Sequence, residues 1–113
     1  MGLFDNFSRD AKPNPDEISY ADLVTALDGG KIALIDVREP AEFTSGHVQG
    51  AVSMPLSRFD ATKLPQGAPV VLMCKAGGRS AQALAKARAA GRNDVRHYPG
   101  GANGWAQNGG KFV

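Results

Sequence analysis

A chain of 113 residues, 42% hydrophobic and 21% charged, has the size and balance of a single soluble globular domain. Its lone cysteine excludes an intramolecular disulfide, and no apolar run reaches the length of a membrane span. The net charge of +2 conceals an asymmetry: residues 1–60 carry ten acidic and five basic side chains, and residues 61–113 one acidic and eight basic.

The basic half suits a site for a small anion, where focused positive potential speeds encounter. It does not suit nucleic acid, because the basic residues are neither interleaved with aromatics nor gathered into a run. Residues 1–10 lack a basic region followed by a continuous apolar one, so no secretory signal is expected. Asn6 fails the myristoylation pattern. A free thiol fits a reducing compartment, and cytoplasmic residence is the expectation.

In chain order, residues 1–15 are expected to form a flexible extension, since Pro13 and Pro15 stop any helix begun by Leu3, Phe4 and Phe7. Residues 16–113 form the domain. Ile18–Tyr20 reads as a short strand and Ala21–Leu27 as a helix ended by Gly29 and Gly30. Ile32–Val37 is an apolar run with a charged end, as in a buried parallel strand. Pro40–Thr44 suits a short helix with proline in its first turn, and Ala51–Met54 a short strand. Pro69–Cys74 is the second strong strand. Ser80–Ala90 is rich in helix formers and closes on Gly91, Val95–Tyr98 is a last strand, and Ala102–Asn108 a last helix around Trp105. Strands alternating with helices predict an α/β fold with a parallel sheet covered on both faces, whose ligands bind beyond the carboxyl ends of the strands.

Cys74 stands at such an end. A single cysteine closing an apolar strand is ordinarily a small buried hydrophobe, but the residues after it, Lys75-Ala76-Gly77-Gly78-Arg79, change the expectation. Gly77 and Gly78 let the loop curl with its N–H groups inward as an anion nest. The helix starting at Arg79-Ser80 adds free N–H groups and its dipole, and Lys75 and Arg79 add full charges. All these favour the thiolate. A free thiol with a pKa near 8.5 is about 3% ionised at pH 7, and a drop of two units makes it roughly three-quarters ionised. The same cradle would hold an anionic substrate beside the nucleophile.

These residues match a known family. Leu34-Ile-Asp36-Val-Arg38-Glu39-Pro40-Ala-Glu42-Phe43 through Gly46-His47 to Gly50-Ala51 resembles the N-terminal signature of rhodanese (thiosulfate sulfurtransferase) domains. Cys74 to Ser80 resembles their active-site loop, and Gly100-Gly101-Ala-Asn-Gly-Trp105 their C-terminal signature. The resemblance runs from about Ile18 to Val113. It implies a rhodanese-like fold with a central five-stranded parallel sheet flanked by helices on both faces, and a two-step reaction through a Cys74 persulfide. The implied donor is thiosulfate or a similar sulfane-sulfur compound, and the implied acceptor cyanide, a cellular thiol or a partner protein. Cys74 would be the nucleophile, with Lys75, Ala76, Gly77, Gly78 and Arg79 binding the substrate anion, and no metal or organic cofactor would be needed.

Asp36, Arg38, Glu42 and His47 match no metal-ligand spacing and are expected to form a charged hydrogen-bond network that fixes loops near the strand ends. Trp105, Met54 and Met73 are expected to pack, and His97 to lie on an exposed strand face. The chain departs from the family at Ala87, where Leu is common, and at Arg92, where an aromatic is common. Leu84 is expected to compensate by repacking. Two other functions stay open. A persulfide carrier or binding module would act with a partner protein. A phosphatase would need the wider Cys-x5-Arg loop, whereas this chain has Cys-x4-Arg.

Overall fold

The computed structural model describes residues 14–113. The extension expected over residues 1–15 lies outside the described residues except for Asn14 and Pro15, which enter a turn closed by the Glu17 N–H donating to the Asn14 carbonyl at 3.0 Å. Ser19 ends this segment. Its hydroxyl accepts the Asp22 N–H at 3.1 Å, satisfying one of the free donors at a helix start, and helix α1 runs Tyr20–Asp28.

That cap corrects the expected strand at Ile18–Tyr20, because Tyr20 is already helical. Between the turn and the cap there is room only for one parallel bridge, Glu17 to His97, framed by Ile18 N–H to His97 O (3.1 Å) and His97 N–H to Asp16 O (2.9 Å). The expected five-stranded sheet is accordingly four-stranded among the described residues. Its strands are β1 (Ala33–Asp36), β2 (Val52–Ser53), β3 (Val70–Met73) and β4 (Val95–His97), all parallel in the order β2-β1-β3-β4. The remaining helices are α2 (Pro40–Ser45), α3 (Gly78–Ala89) and α4 (Gly101–Gln107), and two 3-10 turns, Leu56–Arg58 and Ala61–Lys63, lie between β2 and β3.

Alternation along the strands divides the core. Ile35, Val37, Val70, Leu72, Cys74 and Val95 face α3, where they meet Ala83, Leu84 and Ala87. Leu34, Val71 and Met73 face the other way, toward Leu23 of α1 and Ala102 and Trp105 of α4. Helices thus cover both faces, as the expected class requires, and β3 is buried along its whole length. Fully burying one such Leu, Ile or Met side chain contributes about 2 kcal/mol. Ala87 is fully buried on the α3 side, and Leu84 packs in the same cluster. Arg92 replaces aromatic packing with polar ties, donating to the carbonyls of Leu64 and Pro65 at 3.3 and 2.9 Å and pairing with Asp94. Among the described residues no helix is long and apolar enough to cross a membrane.

Candidate active site

Cys74 follows β3 directly and shares the face of Val70 and Leu72, so its Sγ turns toward the N-terminus of α3. Sγ accepts the Gly77 N–H at 3.1 Å and the Ser80 N–H at 3.3 Å, and the Ser80 Oγ stands 3.6 Å away. Burial of the sulfur pushes its pKa up. Hydrogen bonds from the Ser80 hydroxyl and from the N–H groups of Ser80, Gly77 and Ala76 outweigh that, and the thiol is held below its ordinary value.

Two glycines make this geometry possible. Gly77 is left-handed at φ 101°, and a Cβ there would stand 2.6 Å from the Pro99 carbonyl oxygen. Gly101, at φ 61°, would place a Cβ 2.5 Å from the carbonyl oxygens of Cys74 and Lys75. The approach is tight because the start of α4 is bonded to the loop, Ala102 N–H to Cys74 O at 2.8 Å and Asn103 N–H to Lys75 O at 3.0 Å. Gly78 differs from the expectation: its φ is negative, nothing stands near its missing side chain, and it is simply the first residue of α3.

The two loop cations have different surroundings. Lys75 is exposed, makes no ion pair among the described residues, and lines a hollow of about 370 Å³ together with Arg38, Glu42, Asn103 and Phe112. Arg79 is engaged on two points by Glu42, Nη1 to Oε1 at 2.6 Å and Nη2 to Oε2 at 3.0 Å. Arg79 chiefly, and the Glu39 N–H besides, hold the Glu42 carboxyl well below its ordinary 4.5, at about 2.

The four residues expected to form one network form separate contacts. Asp36 and Arg38 make a buried pair, with Arg38 Nη2 2.8 Å from Asp36 Oδ2 and a further hydrogen bond from Nη2 to Gly46 O at 2.8 Å. Glu42 belongs to Arg79. His47 touches neither carboxylate: its Nδ1 is 2.9 Å from the Phe43 carbonyl oxygen and its ring stacks on Phe43 with centroids 3.8 Å apart. Among the described residues no group of three or more His, Cys, Asp or Glu side chains is placed to hold a metal ion.

Sequence reasoning missed His97. It is buried, not exposed, and its Nδ1 is 2.8 Å from the Ser80 Oγ. The signal was present in the alternation of β4, which puts His97 on the same face as Val95, toward α3.

The chain matches the family model of the Rhodanese-like domain over residues 19–108 and belongs to that family. Over 86 residues it is 46% identical to the probable adenylyltransferase/sulfurtransferase MoeZ of Mycobacterium tuberculosis, a match covering 72% of this chain and 22% of that protein. It is 32% identical over 80 residues to a sulfurtransferase of Allochromatium vinosum, covering 69% of this chain and 75% of the relative. The solved structure of the human single-domain sulfurtransferase TSTD1 superposes with a TM-score of 0.71 at 25% identity, covering 81% of this chain and 96% of that one. The chain spans about a fifth of the length of MoeZ. Family and relatives together support sulfur transfer as the general class of chemistry.

Proposed function

We propose that the chain is a thiosulfate sulfurtransferase working through a Cys74 persulfide. The observation that carries this reading is the Cys74 sulfur itself, buried at a strand end and met by N–H donors of the loop and the α3 terminus. The Cys74 thiolate attacks the outer sulfur of thiosulfate. The S–S bond of the donor breaks, sulfite leaves with the electron pair, and a Cys74 persulfide anion remains. A thiophilic acceptor, cyanide or a cellular thiol, then bonds to the terminal sulfur, and Cys74 departs as thiolate with the electron pair. The donors that lower the thiol pKa face the anionic persulfide as well. Lys75, without an ion pair among the described residues, meets the sulfonate; Arg79 adds charge and, through Glu42, holds the loop in shape. Incubation with thiosulfate and cyanide is expected to yield thiocyanate and Cys74→Ser none; an active Cys74→Ser protein would overturn the assignment.

A second reading is favoured by the relation to MoeZ, in which a matching segment is a small part of a larger protein. Here the chain carries the persulfide to a partner protein. Intact mass after thiosulfate treatment separates the two: a gain of one sulfur, about 32 Da, without cyanide turnover indicates the carrier. The lone thiol fits a reducing compartment, and we place the protein in the cytoplasm on that ground.

A further inference from the structure

Cys74 is 1% exposed, so the proton it loses on becoming a thiolate has little direct access to water. One chain of polar atoms leads away from it. The Ser80 Oγ lies 3.6 Å from Sγ and 2.8 Å from Nδ1 of His97, and all three residues are buried. On the far side of the imidazole, Nε2 stands 4.0 Å from Glu17 Oε2. There the ring borders a hollow of about 280 Å³ lined by Asn14, Asp16, Glu17 and Arg88, of which Asn14 and Glu17 are exposed. This mouth opens beside the N-terminal segment and the flank of α3, whereas the Lys75 hollow is lined by α2, the loop and α4.

We propose that Cys74, Ser80 and His97 form a proton relay that ionises the thiol and discharges its proton through the second mouth, beside Glu17. The inference rests on Cys74 being the nucleophile of the reading above. In the thiol state, S–H donates to Ser80 Oγ, the Ser80 hydroxyl donates to Nδ1, and Nε2 carries the imidazole proton. Ionisation passes each proton one place along. The S–H bond breaks as a new O–H bond forms on Ser80; the old Ser80 O–H bond breaks as Nδ1–H forms; Nε2 releases its proton to the Glu17 carboxylate or to water. In the product, Nδ1–H donates to Oγ and the Ser80 hydroxyl donates to the thiolate. One proton has left, no electron has moved, and His97 has changed tautomer.

The surroundings support a neutral imidazole that can serve both ways. Burial pulls the His97 pKa down, against Glu17 and Asp16, which raise it. The charged groups facing His97 are these two carboxylates and Arg88, itself paired with Asp16 at 2.9 Å. Those beside Cys74 are Lys75 and Arg79, the latter held by Glu42. The competing acceptor for the Ser80 hydroxyl is the Gly77 carbonyl, 3.2 Å away. An N–H donor at Nδ1 occupies Oγ and holds the hydroxyl on the sulfur.

The test follows the His97 ring nitrogens by long-range proton–nitrogen correlation in isotope-labelled, unmutated protein while Cys74 is titrated. Nε2–H is expected below the thiol pKa and Nδ1–H above it; one tautomer on both sides overturns the relay. Alkylation by iodoacetamide gives the second reading. His97→Phe and Ser80→Ala are each expected to slow it about tenfold at a pH well below the thiol pKa, as a one-unit rise in that pKa requires, and the double variant to slow it no further. An unshifted alkylation profile in a folded His97→Phe protein also overturns the relay, and if that variant fails to fold, the tautomer measurement decides. Neither measurement uses a sulfur donor. A protein that makes thiocyanate with an unmoved tautomer disproves the relay alone, and one whose tautomer moves without sulfur transfer disproves only the assigned reaction.

Discussion

Arg79 and Glu42 join the Cys74 loop to α2 through two parallel contacts of 2.6 and 3.0 Å. The pair leaves Lys75 as the loop cation without an ion-pair partner among the described residues.

The folded-state pKa of Glu42, about 2, lies below its ordinary 4.5. The stability it brings is therefore complete above about pH 4.5 and lost as pH falls toward 2. Both side chains are about one-third exposed, so screening reduces the contribution to about 1 kcal/mol. Glu42→Gln is expected to melt below the unmodified protein at pH 6 and to converge with it near pH 2. Thermal unfolding followed by circular dichroism measures the gap, and a gap that does not change with pH contradicts this account.

The adjacent glycines are expected to respond in opposite ways. Gly77→Ala forces a side chain into positive φ and against the Pro99 carbonyl, and should cost about 2 kcal/mol or more. Gly78→Ala meets open space on a helical residue and should stabilise by about 0.5 kcal/mol. Urea midpoints of the two variants decide the order.

Asp36→Asn leaves the Arg38 guanidinium buried without its counter-charge, a loss of about 3 kcal/mol or more. Because Arg38 also holds the Gly46 carbonyl, the chain after α2 should loosen together with the loss of global stability. Amide hydrogen exchange around Gly46 tests this alongside denaturant unfolding.

Lys75→Met removes an exposed charge without disturbing the N–H donors at Sγ. We expect kcat/KM for thiosulfate to fall about tenfold, chiefly through KM, while alkylation of Cys74 by neutral iodoacetamide keeps its rate. A parallel loss of both would mean that Lys75 shapes the loop and does not meet the anion.

The positions legible in the sequence are those where one local rule suffices. The apolar runs Ile32–Val37 and Pro69–Cys74 mark the central strands, and Gly77-Gly78 before a run of helix formers marks the turn into α3, though only Gly77 has a positive φ. Contacts made at a distance were not legible. Glu42 was read with its near neighbours in sequence, yet its partner is Arg79, brought to it by the parallel pairing of β1 with β3. Ile18–Tyr20 has strand-forming side chains, but the Ser19 hydroxyl caps a helix, and the cap decides. His97, expected on an exposed strand face, lies two residues after Val95 on the same face of β4 and is buried with it.

The attachment of α4 to the loop has a consequence for the sign of the pocket. A trans peptide holds its C=O and N–H in opposite directions. When Asn103 draws the Lys75 carbonyl outward, the Ala76 N–H of the same peptide must swing in toward the sulfur. The glycine pair preceding Trp105 thus acts as a latch on backbone orientation: it sets which pole of that peptide faces the Cys74 sulfur.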